Sequence, residues 1–178
     1  TAYLLSKKQP ENVQIFAKEG LFIVAFSWLA LSFFGALPFV ISREIPSFVD
    51  AFFEVVSGFT TTGASILSNV EALSHSLLYW RSFTHFVGGM GVLVLALAIL
   101  PKNNNQSLHI MKAEVPGPTV GKLVSKMTYN SRILYMIYIF LTLLITLFLY
   151  LGGMPLFDSV LHTFGTVGTG GFGIKNTS

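Results

Sequence analysis

The chain has 178 residues, of which 52% are hydrophobic and 11% are charged, and its formal net charge is +3. A soluble globular protein carries about 25% charged residues, so this composition excludes an ordinary soluble domain. The sequence contains no cysteine, which excludes disulfides, zinc–thiolate sites and thiol chemistry in these residues. The basic residues flank apolar stretches instead of forming one stripe, a pattern that indicates membrane topology and not nucleic-acid binding.

Three long apolar stretches predict membrane-spanning helices, because about 20 apolar residues are needed to cross roughly 30 Å of hydrocarbon. They are Leu21–Ile41, residues 77–100 and Ile133–Leu151. The first and third contain no charged residue, whereas the second has Arg81 and His85 near its start. We expect Arg81 to extend toward the lipid headgroups and His85 to be interfacial or solvated.

Two shorter apolar segments, residues 46–59 and 155–164, follow the first and third spans and are too short to cross a membrane. Each begins with proline and carries an aspartate, Asp50 or Asp158, which predicts the first turn of a short helix. Each then leads into a segment rich in Thr and Gly. Irregular backbone is tolerated at membrane depth only where protein buries it or where it lines a water-filled cavity. The sequence therefore predicts two re-entrant loops.

The two loops repeat each other without a gap when Asp50 is aligned with Asp158. Gly63 then falls on Gly171, and Thr61 falls on Thr169. The predicted unit is a span, a short helix, a Thr/Gly loop and a second span, with the same orientation in both copies. Repeated units need neighbours to bury their faces, so we expect the chain to be a fragment of a longer protein.

The basic residues predict the orientation of these units. Three lysines lie in residues 1–20 and five basic residues lie in residues 101–132, so the positive-inside rule assigns both segments to the cytoplasm. Both loops then enter the membrane from outside. The predicted organisation is a cytoplasmic N-terminal segment (1–20), a first span–pore–span repeat (21–100), a cytoplasmic linker (101–132) and a second repeat (133–178) that ends after its loop. This describes a multi-pass protein of the plasma membrane.

Thr/Gly loops at the ends of short helices suit a dehydrated monovalent cation, because backbone carbonyls that face one axis replace its water. Glycine permits backbone dihedrals that other residues avoid, and the C-terminus of a helix favours a positive charge. The expected ion is potassium, as the transported substrate, and no other cofactor is predicted. The backbone carbonyls expected to bind it are those of Thr61, Thr62, Gly63, Thr169, Gly170 and Gly171.

Four segments carry a resemblance to a known family: SGFTTTGAS, WRSFTHFVGGMGVLVLALAILP, AEVPGPTVGKL and TVGTGGFG. They resemble the Trk/Ktr/HKT superfamily of potassium transporters, most of all the bacterial TrkH-type membrane subunit. The resemblance implies an all-α membrane protein with four span–pore–span repeats around one pore, and one filter glycine per repeat, here Gly63 and Gly171. It also implies potassium uptake instead of enzymatic catalysis, a homodimer in membrane lipid, and a cytosolic nucleotide-binding regulatory subunit.

Other interpretations have less support in the residues. Residues 168–173 fit the pattern G-x-G-x-x-G, but a predicted helix precedes them where a dinucleotide site needs a strand. Residues 63–65 with His85 could suggest a serine hydrolase. They lack the glycine-flanked nucleophile turn of such enzymes, and no third member of a catalytic triad is placed. The main alternative is a secondary transporter whose re-entrant loops bind a small solute and coupling ions. Such transporters often have inverted repeats, so the parallel repeats predicted here favour a channel-like pore.

Three further features inside the apolar segments have structural interpretations. The glycines of Gly88-Gly-Met-Gly91 predict close packing between helices. Glu54 is costly in a membrane without a partner, so we expect it to hydrogen-bond the back of the filter or to pair with a basic group from a repeat that this sequence lacks. His162 occupies the equivalent position in the second short helix and is predicted to be a packing residue with one hydrogen bond.

The predicted orientation is tested by placing a single cysteine at Ser125 of the full-length protein. An impermeant thiol reagent should leave this site unlabelled in intact cells and label it after the membrane is opened. Strong labelling from outside would contradict the orientation of both loops.

Overall fold

The computed structural model describes residues 17–91 and 127–176, with side chains described for 21–91 and 133–176. Within these ranges the chain is helical and contains no strand, which confirms the predicted all-α class for this part of the chain. The elements in chain order are α1 (Ala17–Ile41), α2 (Phe48–Phe59), a 3₁₀ turn (Val70–Ala72), α3 (His75–Met90), α4 (Met127–Leu151) and α5 (Leu156–Val167).

The two longest helices, α1 and α4, are each 25 residues long. They contain the segments Leu21–Ile41 and Ile133–Leu151, which are long and apolar enough to cross a membrane. Their large apolar side chains are mostly exposed, with Phe34 at 66% and Phe148 at 63%, which suits contact with lipid or with further membrane helices. The predicted second span starts within α3, and its part beyond Gly91 lies outside the described residues.

The two short helices, α2 and α5, are each 12 residues long, and their boundaries correspond in the predicted register (48 and 156, 59 and 167). Asp50 and Asp158 lie in their first turns, as expected. The prolines do not: Pro46 precedes the N-cap residue Ser47, and Pro155 itself occupies the N-cap position. The Ser47 hydroxyl accepts a hydrogen bond from the Asp50 amide (3.4 Å), so a serine cap begins the first helix.

The short helices are enclosed by the longer ones. Helix α2 packs against α1 and α3, while α5 packs against α3 and α4, so α3 joins the two halves. The shared core contains apolar side chains from each of α1, α2, α3 and α5, among them Phe39, Val55, Leu77 and Leu161. Without a hydrophobic driving force between helices in lipid, close packing and hydrogen bonds between helices stabilise such a bundle.

Side-chain hydrogen bonds to backbone carbonyls connect these helices at membrane depth. The Trp80 indole donates to the carbonyl of Gly35 (2.9 Å), which ties α3 to α1. The Tyr138 hydroxyl donates to the carbonyl of Phe86 (3.0 Å), which ties α4 to α3. These bonds give the helix pairs a fixed register that apolar contacts alone do not provide.

The glycines near the end of α3 allow two close approaches. A β-carbon at Gly88 would overlap the carbonyl oxygen of Phe59, and one at Gly89 would lie 2.6 Å from the Gly168 Cα. Helix α3 therefore passes directly beside the ends of both short helices, which supports the packing interpretation of these glycines. The helix ends at Met90, and Gly91 follows with φ 65°.

Gly88→Val should lower the thermal stability of the full-length protein, because the added side chain meets a backbone carbonyl that cannot rotate away. Overpacking of this kind costs about 1–3 kcal/mol. The measurement is the apparent melting temperature of purified protein in detergent. Ala30→Val on the exposed part of α1 is the matched control and should leave it unchanged. Equal melting temperatures for the two variants would contradict the close approach at Gly88.

Candidate functional site

The two Thr/Gly loops share an unusual backbone conformation at corresponding positions. Thr61 and Thr169 have φ angles of 54° and 62°, and Gly63 and Gly171 have φ angles of 78° and 73°. Positive φ is common for glycine but is rare and strained for threonine. The alignment made from the sequence therefore has a counterpart in the backbone, where a strained threonine precedes the aligned glycine in both loops.

The ends of the short helices also follow one pattern. The Thr61 amide donates to the carbonyl of Gly58 (3.0 Å), and the Thr169 amide donates to the carbonyl of Thr166 (3.1 Å). Each bond closes a tight turn directly after the helix, which directs the next residues away from the helix axis. Both loops thus leave their helices in the same way.

The six residues predicted to bind the ion all lie in these loops, where they are half-buried or exposed. Their carbonyl oxygens accept no hydrogen bond from the residues that the structure describes. The loops also meet: a β-carbon at Gly63 would overlap the carbonyl oxygen of Gly170. By contrast, a β-carbon at Gly171 would have no described atom within 4 Å, so the two aligned glycines have different surroundings.

A cavity of about 470 Å³ lies beside the end of α2. Its lining includes Thr60 and Thr61 of the first loop, the glycine-rich end of α3, and Trp28, Tyr135 and Tyr138 from α1 and α4. The Tyr135 hydroxyl donates to the carbonyl of Met90 (2.7 Å), so α4 closes one side of this space. The first loop therefore borders an open, partly polar volume.

A buried ion pair lies behind the first loop. The Arg81 Nε is 2.6 Å from a carboxylate oxygen of Glu54, and the two residues are 2% and 1% exposed. The same carboxylate accepts hydrogen bonds from the Ser65 hydroxyl (2.8 Å) and the Ile66 amide (3.0 Å). Glu54 hydrogen-bonds the back of the first loop, as one of the two expectations stated, and its basic partner is Arg81 of α3.

The prediction that Arg81 extends toward the headgroups was wrong. Besides Glu54, its guanidinium donates to the carbonyl of Gly173 (2.9 Å), and its central carbon lies 3.5 Å from the centre of the Phe172 ring. The arginine is drawn inward because a buried carboxylate, a backbone carbonyl and an aromatic face together replace its contacts with water. Its side chain contacts the second loop directly and is linked to the first loop through Glu54.

His85 was also predicted wrongly, as an interfacial or solvated residue. It is fully buried, and neither ring nitrogen has a hydrogen-bond partner within the described residues. Its ring centre lies 3.9 Å from that of Phe172, and a β-carbon at Gly170 would overlap the imidazole. The absent side chain at Gly170 is therefore what allows the second loop to lie against His85.

A further contact joins the chain after the second loop to residues 69–70 through Asn176. Its side chain accepts a hydrogen bond from the Val70 amide (2.8 Å) and donates to the Asn69 carboxamide (2.9 Å). Asn176 thus connects the chain after the second loop to the segment that leads into α3.

Among the described residues no group of His, Cys, Asp and Glu is arranged to bind a metal ion.

Four residues that carry this arrangement were not assigned to the site from sequence: Arg81, His85, Phe172 and Asn176. The pairing of Arg81 with Glu54 had a usable signal, since each is a charge inside an otherwise apolar segment. His85, Phe172 and Asn176 had no such signal, because their positions depend on how α3 packs beside the second loop.

Comparison with known proteins identifies the family. The family model of TrkH, described as a cation transport protein, matches residues 1–178. The Trk system potassium uptake protein TrkH of Salmonella typhimurium is 40% identical over 94% of this chain, and TrkG of Escherichia coli is 37% identical over 99%. The crystal structure of the potassium transporter TrkH from Vibrio parahaemolyticus covers 98% of the chain at 32% identity, with a TM-score of 0.73.

The chain belongs to the TrkH family of cation transport proteins, which are integral membrane transporters and not enzymes. The predicted resemblance is confirmed. The chain spans about a third of the length of these relatives: 35% of the Salmonella protein, 36% of TrkG and 34% of the Vibrio chain.

Gly170→Ala should destabilise the second loop, because its methyl group would overlap His85. Replacing His85 as well, in Gly170→Ala/His85→Ala, should recover part of the loss. The measurement is the yield of monodisperse full-length protein in detergent, with His85→Ala alone as the control for the cavity it creates. A double variant no better than Gly170→Ala would contradict this contact.

Proposed function

We propose that the two Thr/Gly loops contribute two segments of a potassium-selective filter to a longer transporter that takes up potassium across the plasma membrane. The observation that carries the proposal is the pair of loops that follow two short helices of equal length, with matched positive φ angles and with predicted ligand carbonyls that accept no hydrogen bond from the described residues. The names of the relatives, potassium uptake proteins and a potassium transporter, support the choice of ion.

Ion binding would use backbone oxygens of both loops. The carbonyls of Thr61, Thr62 and Gly63 and of Thr169, Gly170 and Gly171 would replace the water of a potassium ion. Selectivity then depends on cavity size or on the number and strength of these dipoles. Helices α2 and α5 would direct their partly negative C-termini toward the ion and lower the cost of its dehydration.

The strained threonines have a role in this mechanism. Positive φ at Thr61 and Thr169 turns the chain sharply away from each helix, so that the carbonyls that follow are not used in helical hydrogen bonds. The glycines that follow, with positive φ themselves, extend the turn where a side chain would be strained. Together they would present a row of oxygens toward one side.

The remaining expectations are part of the same proposal. The two loops would belong to the first two of several tandem span–pore–span repeats, divided as residues 1–20, 21–100, 101–132 and 133–178. The protein would have a cytoplasmic N-terminus, form a homodimer in lipid and bind a cytosolic nucleotide-binding regulatory subunit. The relatives are named as members of a Trk system, which agrees with function in an assembly of several components.

Gly63→Ser and Gly171→Ser should each weaken the preference of the full-length transporter for potassium over sodium. Gly63→Ser should have the larger effect, because its side chain meets the Gly170 carbonyl, whereas a β-carbon at Gly171 has no atom of the described residues within 4 Å. A tenfold loss of preference corresponds to about 1.4 kcal/mol between the two ions. The measurement is uptake of each ion by cells that lack other potassium systems.

Gly88→Ser is the control, since Gly88 lies in α3 beside the end of α2 and not in a loop. It should lower the amount of folded transporter without changing the ion preference per molecule. Unchanged preference in both loop variants, with loss of preference in Gly88→Ser, would show that the filter lies elsewhere.

A further inference from the structure

The two loops differ in how the protein behind them fixes their position. In the first repeat, Glu54 on the short helix binds Ser65 and Ile66 of its own loop. The equivalent position on the second short helix is His162, so this helix has no carboxylate there. The position equivalent to Ser65 is Gly173, which has no hydroxyl group. The second loop therefore lacks both members of the contact that fixes the first.

Arg81 supplies the contact that the second loop lacks. Its Nη1 donates to the carbonyl of Gly173, two positions after Gly171, and its face covers the ring of Phe172 between them. Its Nε meanwhile donates to Glu54, which bonds the first loop. One guanidinium thus binds Glu54 through its Nε, the second loop through its Nη1 and the Phe172 ring through its face.

This geometry needs the shape of an arginine and not only its charge. A planar guanidinium has donors that point in fixed, different directions and a flat face that stacks on an aromatic ring. A lysine ammonium in the same place has three donors on one atom and cannot reach both loops in the same way. A buried ion pair is by itself weak support for stability, so the directional contacts are the more informative feature.

We infer that Arg81 is a positioning residue for both filter loops, acting on the first through Glu54 and on the second directly, and that ion selectivity depends on its planar head group. The inference rests on the proposed function, since selectivity has meaning only if the loops form the filter. The ion never contacts Arg81; the arginine acts through the loop backbones.

The test compares Arg81→Lys with a doubly neutral variant, Glu54→Gln/Arg81→Gln, in the full-length transporter. Both avoid an unpaired buried charge, which would endanger folding in either single neutral variant. Each should yield monodisperse protein in the membrane at a level near that of the wild type. Both should nevertheless lose at least tenfold of the preference for potassium over sodium, measured as the ratio of the two half-saturation concentrations for uptake.

Arg43→Lys is the matched control, since it makes the same exchange at an exposed arginine and should leave the ratio unchanged. If Arg81→Lys has wild-type selectivity, the arginine supplies charge alone and the inference is wrong. If the doubly neutral variant is as selective as the wild type, the contact does not position the loops and the inference is also wrong. If the wild-type protein itself does not prefer potassium, the proposed function fails instead, and that result is distinct from both.

Discussion

The rest of the site depends on one buried ion pair, Glu54 with Arg81. A charge inside a membrane protein is costly unless it is paired and hydrogen-bonded, so each of these residues requires the other. The pair also forms hydrogen bonds with backbone and side-chain groups of the loops. Because those groups belong to segments without regular secondary structure, the ion pair gives them the fixed partners that a helix or sheet would otherwise provide.

The sequence predicted the helices well where length and composition decide the outcome. The two uncharged spans and the two short helices were located from apolar run length, and the register of the loops followed from matching Asp50 to Asp158. These features are local, so they can be inferred before any packing is known. The two prolines lie at the N-cap or just before it, and not in the first turn as predicted. A serine or the proline itself occupies the cap position.

What the sequence did not predict is the direction of side chains on α3. Arg81 and His85 lie near the start of an apolar stretch, where polar groups commonly reach toward water. Both instead face inward, because α3 packs between the short helices and meets the second loop on that side. The result depends on contacts between residues about ninety positions apart, such as Arg81 with Gly173, which no local pattern records.

The different surroundings of the two loops limit how freely they can be exchanged. A copy of the first loop and its helix, placed at the second position, would introduce a carboxylate at residue 162 and a serine at residue 173. That carboxylate would stand at a half-buried position, while the one described arginine behind the loops already binds Glu54. Two segments with a shared backbone conformation therefore have different partners behind them, and the contact between Glu54 and Arg81 is not repeated at the position of His162.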